Sequence, residues 1–175
     1  MNLTLQPVYK IHKLKLLEGK AELGRYLNLK LPESWPTFPE AFQISQQDSN
    51  SDDGIETADI FGGYFFIDFE TKTLVGNGGF TGPPDAGNSV EIGYEIATEF
   101  WNRGYATLAA ERLIALAFGE ANVFQVKATT LAEENASNRV LKKCGMTFLS
   151  EEPNDEFGKV WVFGINRQQF EKRND

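Results

Sequence analysis

The chain has 175 residues, of which 41% are hydrophobic and 24% charged, enough for one domain with a sizeable core and unlike a disordered segment. Seventeen Lys and Arg against 25 Asp and Glu give a net charge of −8, which argues against a nucleic-acid backbone as partner and leans toward cationic molecules such as amines. One cysteine, Cys144, and one histidine, His12, allow neither a disulfide framework nor a Cys/His zinc cluster, so no metal site is expected.

Leu3 to Tyr9 reads as a first strand, and Lys13 to Leu27, with Leu14, Leu17 and Ala21 at helical spacing, as a helix. The prolines of the Trp35 to Phe42 stretch break regular structure, and Pro39 is placed to open a short helix. The polar patch Gln46 to Gly54 has the composition of an exposed loop. Gly63 to Phe69 and Thr73 to Phe80 form a hairpin pattern around Glu70-Thr71-Lys72. Ser89 to Ala97 alternates: Val90, Ile92, Tyr94 and Ile96 share one face, Glu91, Gly93, Glu95 and Ala97 the other.

From Gly104 to Phe118 the period turns helical, with Tyr105, Leu108, Ala109, Leu113, Leu116 and Ala117 on one stripe. Val123 to Thr130 is a strand. A short helix from Asn135 to Cys144 is expected to bury Ala136, Val140, Leu141 and Cys144, with Gly145 as a left-handed cap. Thr147 to Glu151 and Lys159 to Ile165 close the chain as strands. A meander followed by alternating strands and helices predicts a mixed α+β fold with a partly antiparallel sheet.

The chemistry concentrates where the Ser89 to Ala97 strand turns through Thr98 to Arg103 into the helix opening at Gly104. A helix N-terminus offers unpaired N–H groups and partial positive charge, and a glycine there lets a diphosphate approach the backbone. Arg103 could add a charge-assisted contact. The spacing fits neither the G-x-G-x-x-G dinucleotide fingerprint nor a Walker loop.

Three runs in order, Val90 to Ile96, Trp101-Asn102-Arg103-Gly104-Tyr105-Ala106-Thr107, and Glu134 to Met146, resemble the GCN5-related N-acetyltransferase (GNAT) superfamily, and within it the ribosomal-protein N-acetyltransferase branch. The resemblance implies a mostly antiparallel twisted sheet of about seven strands with a splayed parallel pair, Ser89 to Ala97 and Val123 to Thr130. It implies one domain, with residues 1–61 on the acceptor side and 62–175 as the cofactor core. It also implies acetyl-CoA as cofactor, its pantetheine arm beside Glu95, Ile96 and Ala97 and its pyrophosphate on the amides of Asn102 to Thr107. Trp101 takes the motif's first position, as in that branch. Glu134 stands where the family usually has Asn, and Asn135 one position later, so either the helix entry shifts to let Asn135 serve or that contact is altered. Asn138 joins the same cofactor set.

Amine acetylation needs a neutral nucleophile, a polarised thioester carbonyl and a proton for the departing thiolate. Glu91 lies close to the family's strand-borne base, with a plain exposed strand carboxylate as the alternative. Glu95, about 13 Å along the strand, is too far to pair with it. Ser137 is a candidate proton donor to the thiolate or, equally, a helix cap. By family analogy Trp35, Phe38 and Phe42 line an acceptor groove, with Glu40 to meet an amine; packing is the alternative for these aromatics, as for Tyr94. Cys144 reads as core, with no His near it in sequence.

The resulting expectation is transfer of acetyl from acetyl-CoA to a primary amine, of a protein N-terminus or a small molecule. The alternative is a non-catalytic acyl-CoA-binding module of the same fold. The N-terminus carries no basic-then-apolar leader and no stretch of about 18 apolar residues occurs, so the cytoplasm and no membrane partner are expected. Exposed aromatics near Trp35 or Trp161 could make a homodimer contact; otherwise the chain is a monomer.

Overall fold

The computed structural model describes residues 2–44 and 59–174. The expected polar loop Gln46 to Gly54 lies outside them. Among the described residues seven strands carry the fold: β1 (Leu3–Pro7), β2 (Gly63–Asp68), β3 (Thr73–Phe80), β4 (Ser89–Ile96), β5 (Gln125–Leu131), β6 (Thr147–Asn154) and β7 (Gly158–Asn166). The α-helices described beside them are α1 (Lys10–Glu18), α2 (Lys20–Leu27), α3 (Tyr105–Gly119), α4 (Ala136–Lys143) and α5 (Arg167–Asn174).

Along the sheet the strand order is β1-β2-β3-β4-β5-β7-β6. The pairs β1/β2, β5/β7 and β6/β7 are antiparallel, whereas β4 and β5 run parallel. The parallel register stops at Glu91 opposite Lys127, although both strands continue, so the expected splay is present. By contacts the chain forms two compact units, Met1–Gly78 with Glu95–Tyr105, and Gly79–Tyr94 with Ala106–Asp175.

In the first unit the core is Leu23, Trp35, Phe42, Phe65, Ile67, Leu74 and Ala97. One helix over Lys13 to Leu27 is not what forms. Gly19, at φ 136°, separates α1 from α2, a conformation glycine alone tolerates well. The break shifts the helical phase, so Leu14, Leu17 and Ala21 are exposed, and His12 and Leu23 are buried in their place. His12 Nδ1 accepts the Tyr9 N–H at 3.1 Å, and burial lowers its pKa.

Pro39 does open a short 3-10 helix, Pro39–Phe42. Trp35 and Phe42 pack against Phe65 with ring centroids 5.9 and 5.8 Å away, and Trp35 Nε1 donates to Asn77 Oδ1 at 2.5 Å. Trp35 is 1% exposed, which removes it as a dimer contact.

Asp68 is buried at the end of β2, where it accepts hydrogen bonds from Tyr105 Oη and from the N–H groups of Glu70 and Thr71. Burial alone would raise its pKa, but those donors outweigh burial and hold it below the usual carboxylate range, while burial and the Asp68 bond push Tyr105 up to about 12. A folded-state pKa below the unfolded value gives stability that is present at neutral pH and is lost as pH falls through the folded pKa. Replacing Asp68 with Asn should therefore flatten the acid side of the stability profile. Urea unfolding at pH 3 and pH 7 measures it, and an unchanged difference between the two would refute this role for Asp68.

In the second unit α3 buries Ala109, Leu113 and Ala117 of the expected stripe, while Leu108 and Leu116 are half-buried and Ala110, Ile114 and Phe118 are buried beside them. Helix α5 has no counterpart in the sequence reading. Its Arg167 is fixed at the start, donating to the carbonyls of Phe118, Glu120 and Val123 and lying 5.3 Å over the Phe118 ring.

Candidate cofactor and acetyl-transfer residues

β4 ends at Ile96, and a single 3-10 turn, Thr98–Phe100, carries the chain toward α3. Asn102 (φ 59°) and Gly104 (φ 87°) take left-handed backbone conformations between them. Alternating backbone handedness turns successive N–H groups toward one side and makes an anion-binding concavity. No acceptor among the described residues takes the N–H of Asn102, Arg103 or Gly104. The first N–H groups of α3, from Tyr105 to Thr107, lack intrahelical acceptors by geometry.

The side chains of this turn have other uses. Trp101 is exposed, but its Nε1 donates to the Ile96 carbonyl at 2.7 Å and fixes the turn to the strand it leaves. Arg103 is exposed, its guanidinium 5.5 Å from the Phe100 ring centroid. The hydroxyl of Tyr105 is spent on Asp68, so only its backbone can serve a ligand. Donors and positive charge for a diphosphate are present, and they are mainly backbone.

The strand edge departs from the expected pattern. The Ala97 N–H donates to Val75 of β3 at 2.9 Å, and the Glu91 carbonyl accepts the Thr81 N–H at 3.0 Å. Backbone groups two residues apart face the same edge, so Glu91, Gly93, Glu95 and Ala97 all point toward β3. Of Glu95, Ile96 and Ala97, only Ile96 faces the opposite edge, and its carbonyl is already held by Trp101. A pantetheine arm on that edge would meet the N–H of Ile96 and the backbone of Tyr94, not Glu95 and Ala97.

Glu91 is half-buried and accepts the Thr129 Oγ1 hydrogen bond at 2.6 Å. Thr129 lies two residues beyond Lys127, the last residue of β5 paired with β4, so it reaches back diagonally to the carboxylate. Only the register reveals Thr129 as Glu91's partner; its sequence context carries no such signal.

Asn135, where the sequence reading begins this helix, is the N-cap of α4, so the cap is not Ser137. Its Oδ1 accepts the Asn138 N–H at 3.0 Å, while Asn138 Oδ1 accepts the Asn135 N–H at 2.7 Å. Asn138 Nδ2 then donates to Thr130 Oγ1 at 2.8 Å. With 0% exposure and both ends of its amide engaged, Asn138 is a structural residue and leaves the cofactor set. Leu141 is buried as expected, but Ala136, also expected in the core, is exposed, and the helix turns Asn138 inward. Glu134 is exposed and pairs with Lys142 at 2.8 Å, pointing away from the cap.

Ser137, half-buried in the first turn of α4, lies near Tyr94. The Tyr94 hydroxyl is buried and makes no well-formed hydrogen bond. Burial drives its pKa above the usual tyrosine value, and Ser137 offsets this only in part, so Tyr94 stays a neutral donor. Cys144 is buried with its thiol pushed up to about 12 by burial, and its Sγ donates to the Thr107 carbonyl at 3.6 Å. A thiol so raised is a poor nucleophile at neutral pH.

On the acceptor side, Trp35 and Phe42 lie in the core, whereas Phe38 and Glu40 are exposed. Ser34, through its N–H and Oγ, donates to the Glu99 carboxylate, which these bonds hold down near 2, and the Thr37 N–H donates to Glu95 Oε2 at 3.1 Å. Sequence reading missed this tie between the 34–37 segment and the end of β4, because it joins residues roughly sixty positions apart. Among the described residues no cluster of His, Cys, Asp and Glu could hold a metal, and no helix is long and apolar enough to cross a membrane.

Known proteins resemble the chain in sequence and in fold. An uncharacterised N-acetyltransferase of Bacillus subtilis strain 168, YoaA, is 33% identical over 76 residues, a match spanning 43% of this chain and 43% of YoaA's own length. A second from that strain, YjdG, is 27% identical over 142 residues, 81% of this chain and 80% of YjdG. Among solved structures, a spermidine N-acetyltransferase SpeG chimera from Vibrio cholerae and hSSAT superposes with a TM-score of 0.68 at 16% identity, covering 99% of this chain and 100% of that one, which is a likeness of fold. The model of the acetyltransferase (GNAT) domain matches residues 3–147, and the chain belongs to that family.

Proposed function

We propose that this protein transfers the acetyl group of acetyl-CoA directly to a primary amine, of a protein N-terminus or a small molecule. The observation that carries the proposal is the junction of β4 and α3, where Asn102 to Thr107 present consecutive backbone donors with no acceptor of their own. The three sequence runs that resemble the ribosomal-protein N-acetyltransferases fall on β4, this turn and α4, the elements that bear the candidate groups. All of the chain acts as one acetyltransferase domain in this reading.

Acetyl-CoA, when bound, supplies the thioester. The Asn102 to Thr107 amides would hold its pyrophosphate, with Arg103 adding charge. Glu91, oriented by Thr129, accepts through water the proton that the attacking amine must lose. As the amine displaces the thiolate at the thioester carbonyl, the Ser137 hydroxyl would relay a proton to the departing sulfur and be reprotonated in turn from solvent. Asn135 is committed to capping through Oδ1, so the Asn135 amide can offer a pantetheine only its Nδ2 donors.

A cofactor that binds only the folded chain raises its melting temperature. At a hundredfold excess over Kd the shift expected is about 5 to 10 °C, read by differential scanning fluorimetry. No shift with millimolar acetyl-CoA overturns the cofactor assignment. A shift without CoA release for any class of amine points to the binding-module alternative.

A further inference from the structure

We infer that the Glu95 carboxylate is a subsite for a second, cationic group on the acceptor, which rests on the amine-acetyltransferase reading above. Its Oε2 accepts the Thr37 N–H, but its Oε1 is buried and has no hydrogen-bond partner. A carboxylate oxygen removed from water without a donor is unfavourable, since its lost hydration is not repaid. A charged donor repays it best, because bonds between ions are shorter and stronger than neutral ones.

The described residues do not provide that cation. No ion pair among the described residues includes Glu95. Lys20 is the cation tied to the adjoining 32–35 stretch, and its Nζ is spent on the carbonyls of Pro32, Glu33 and Trp35. Trp35 and Ser34 are likewise committed, to Asn77 and Glu99. Thr37 and Phe38 are exposed, so the segment bonded to Glu95 is itself at the surface, and Glu95 as a whole is half-buried.

The group held there is not the nucleophile. An amine must be neutral to attack a thioester, whereas Glu95 calls for a charged donor. The acceptor class is therefore a diamine, acetylated at one nitrogen and held by the other in its protonated form. The net charge of −8 adds a long-range field of the same sign.

Diaminobutane and butylamine share a carbon chain and differ in the second amino group, so the ratio of their kcat/KM values cancels any general effect of a substitution. The wild-type ratio should favour the diamine by about tenfold or more, and Glu95→Gln should abolish the preference through KM. Glu95→Asp, which keeps the charge, should recover part of it. A wild-type ratio near one, or a ratio that Glu95→Gln leaves intact, overturns the subsite.

Calorimetric titration of diaminobutane into the CoA-saturated protein tests the same carboxylate without turnover, and Glu95→Gln should weaken binding about tenfold or more. Diamine binding that depends on Glu95, with no CoA release from any amine, would leave the subsite standing and defeat the acetyltransferase reading. CoA release with no dependence on Glu95 in either measurement does the reverse.

Discussion

Replacing Glu91 with glutamine is expected to lower kcat for acetyl transfer by about 100-fold, the ordinary loss when a positioned general base is removed. Glutamine keeps the size of the side chain and can still accept the Thr129 hydroxyl bond, so the splayed end of β4 and β5 should keep its geometry. The thermal shift given by acetyl-CoA should persist, since its donors lie on the Asn102 to Thr107 backbone. Release of CoA thiol at saturating amine and cofactor is the measurement. A variant within twofold of wild type would show that Glu91 is only a strand carboxylate. Thr129→Val gives a smaller loss in the same reading, because it frees the carboxylate to rotate and leaves it present.

The second large effect is on stability. Asn138→Ala should cost about 2 to 4 kcal/mol: about 1 for the capping box it closes with Asn135, and about 1 to 3 for the buried Thr130 hydroxyl left without its donor. Asn135→Ala removes the cap and leaves the Thr130 bond intact, so it should cost only about 1 kcal/mol. Urea unfolding of the two variants separates the terms. Equal losses would mean that the bond to Thr130 contributes nothing. The entry of α4 carries Ser137, so Asn138→Ala should also lower kcat in the fraction that remains folded. Tyr94 sets a limit on that region: its neutral buried hydroxyl can donate a hydrogen bond but does not ionise to compete with Ser137 for the proton.

The Glu95 subsite proposed above would narrow the amine acceptor by chemistry alone. Trp35 and Phe42, which family analogy offers as part of an acceptor groove, are instead packed on Phe65. Their packing sets the position of the 34–37 segment, whose Thr37 amide reaches Glu95. An acceptor groove made of exposed groups would have to draw on Phe38 and Glu40 instead.

By itself the sequence determined the elements that local periodicity and caps encode. Alternation over Ser89 to Ala97 marked β4, the apolar stripe from Tyr105 marked α3, and Asn135 with Gly145 bracketed α4, because strand pleat, helical pitch and cap geometry are short-range properties. The turn from Trp101 to Ala106 was legible for the same reason: its left-handed Asn102 and Gly104 are local. Gly19 was the local exception, since a glycine inside an apolar pattern does not announce whether it breaks the helix, and only packing of His12 and Leu23 decides that it does.

Tertiary structure alone decided which side chains remain available to a ligand. Asn138 looks like a cofactor residue until Thr130 is placed behind it, Tyr105 looks free until Asp68 takes its hydroxyl, and Glu95 looks like its strand neighbours until Thr37 claims one oxygen and leaves the other bare. Each of these partners comes from another element, and hydrogen bonds across elements depend on register and burial, which no short window of residues contains.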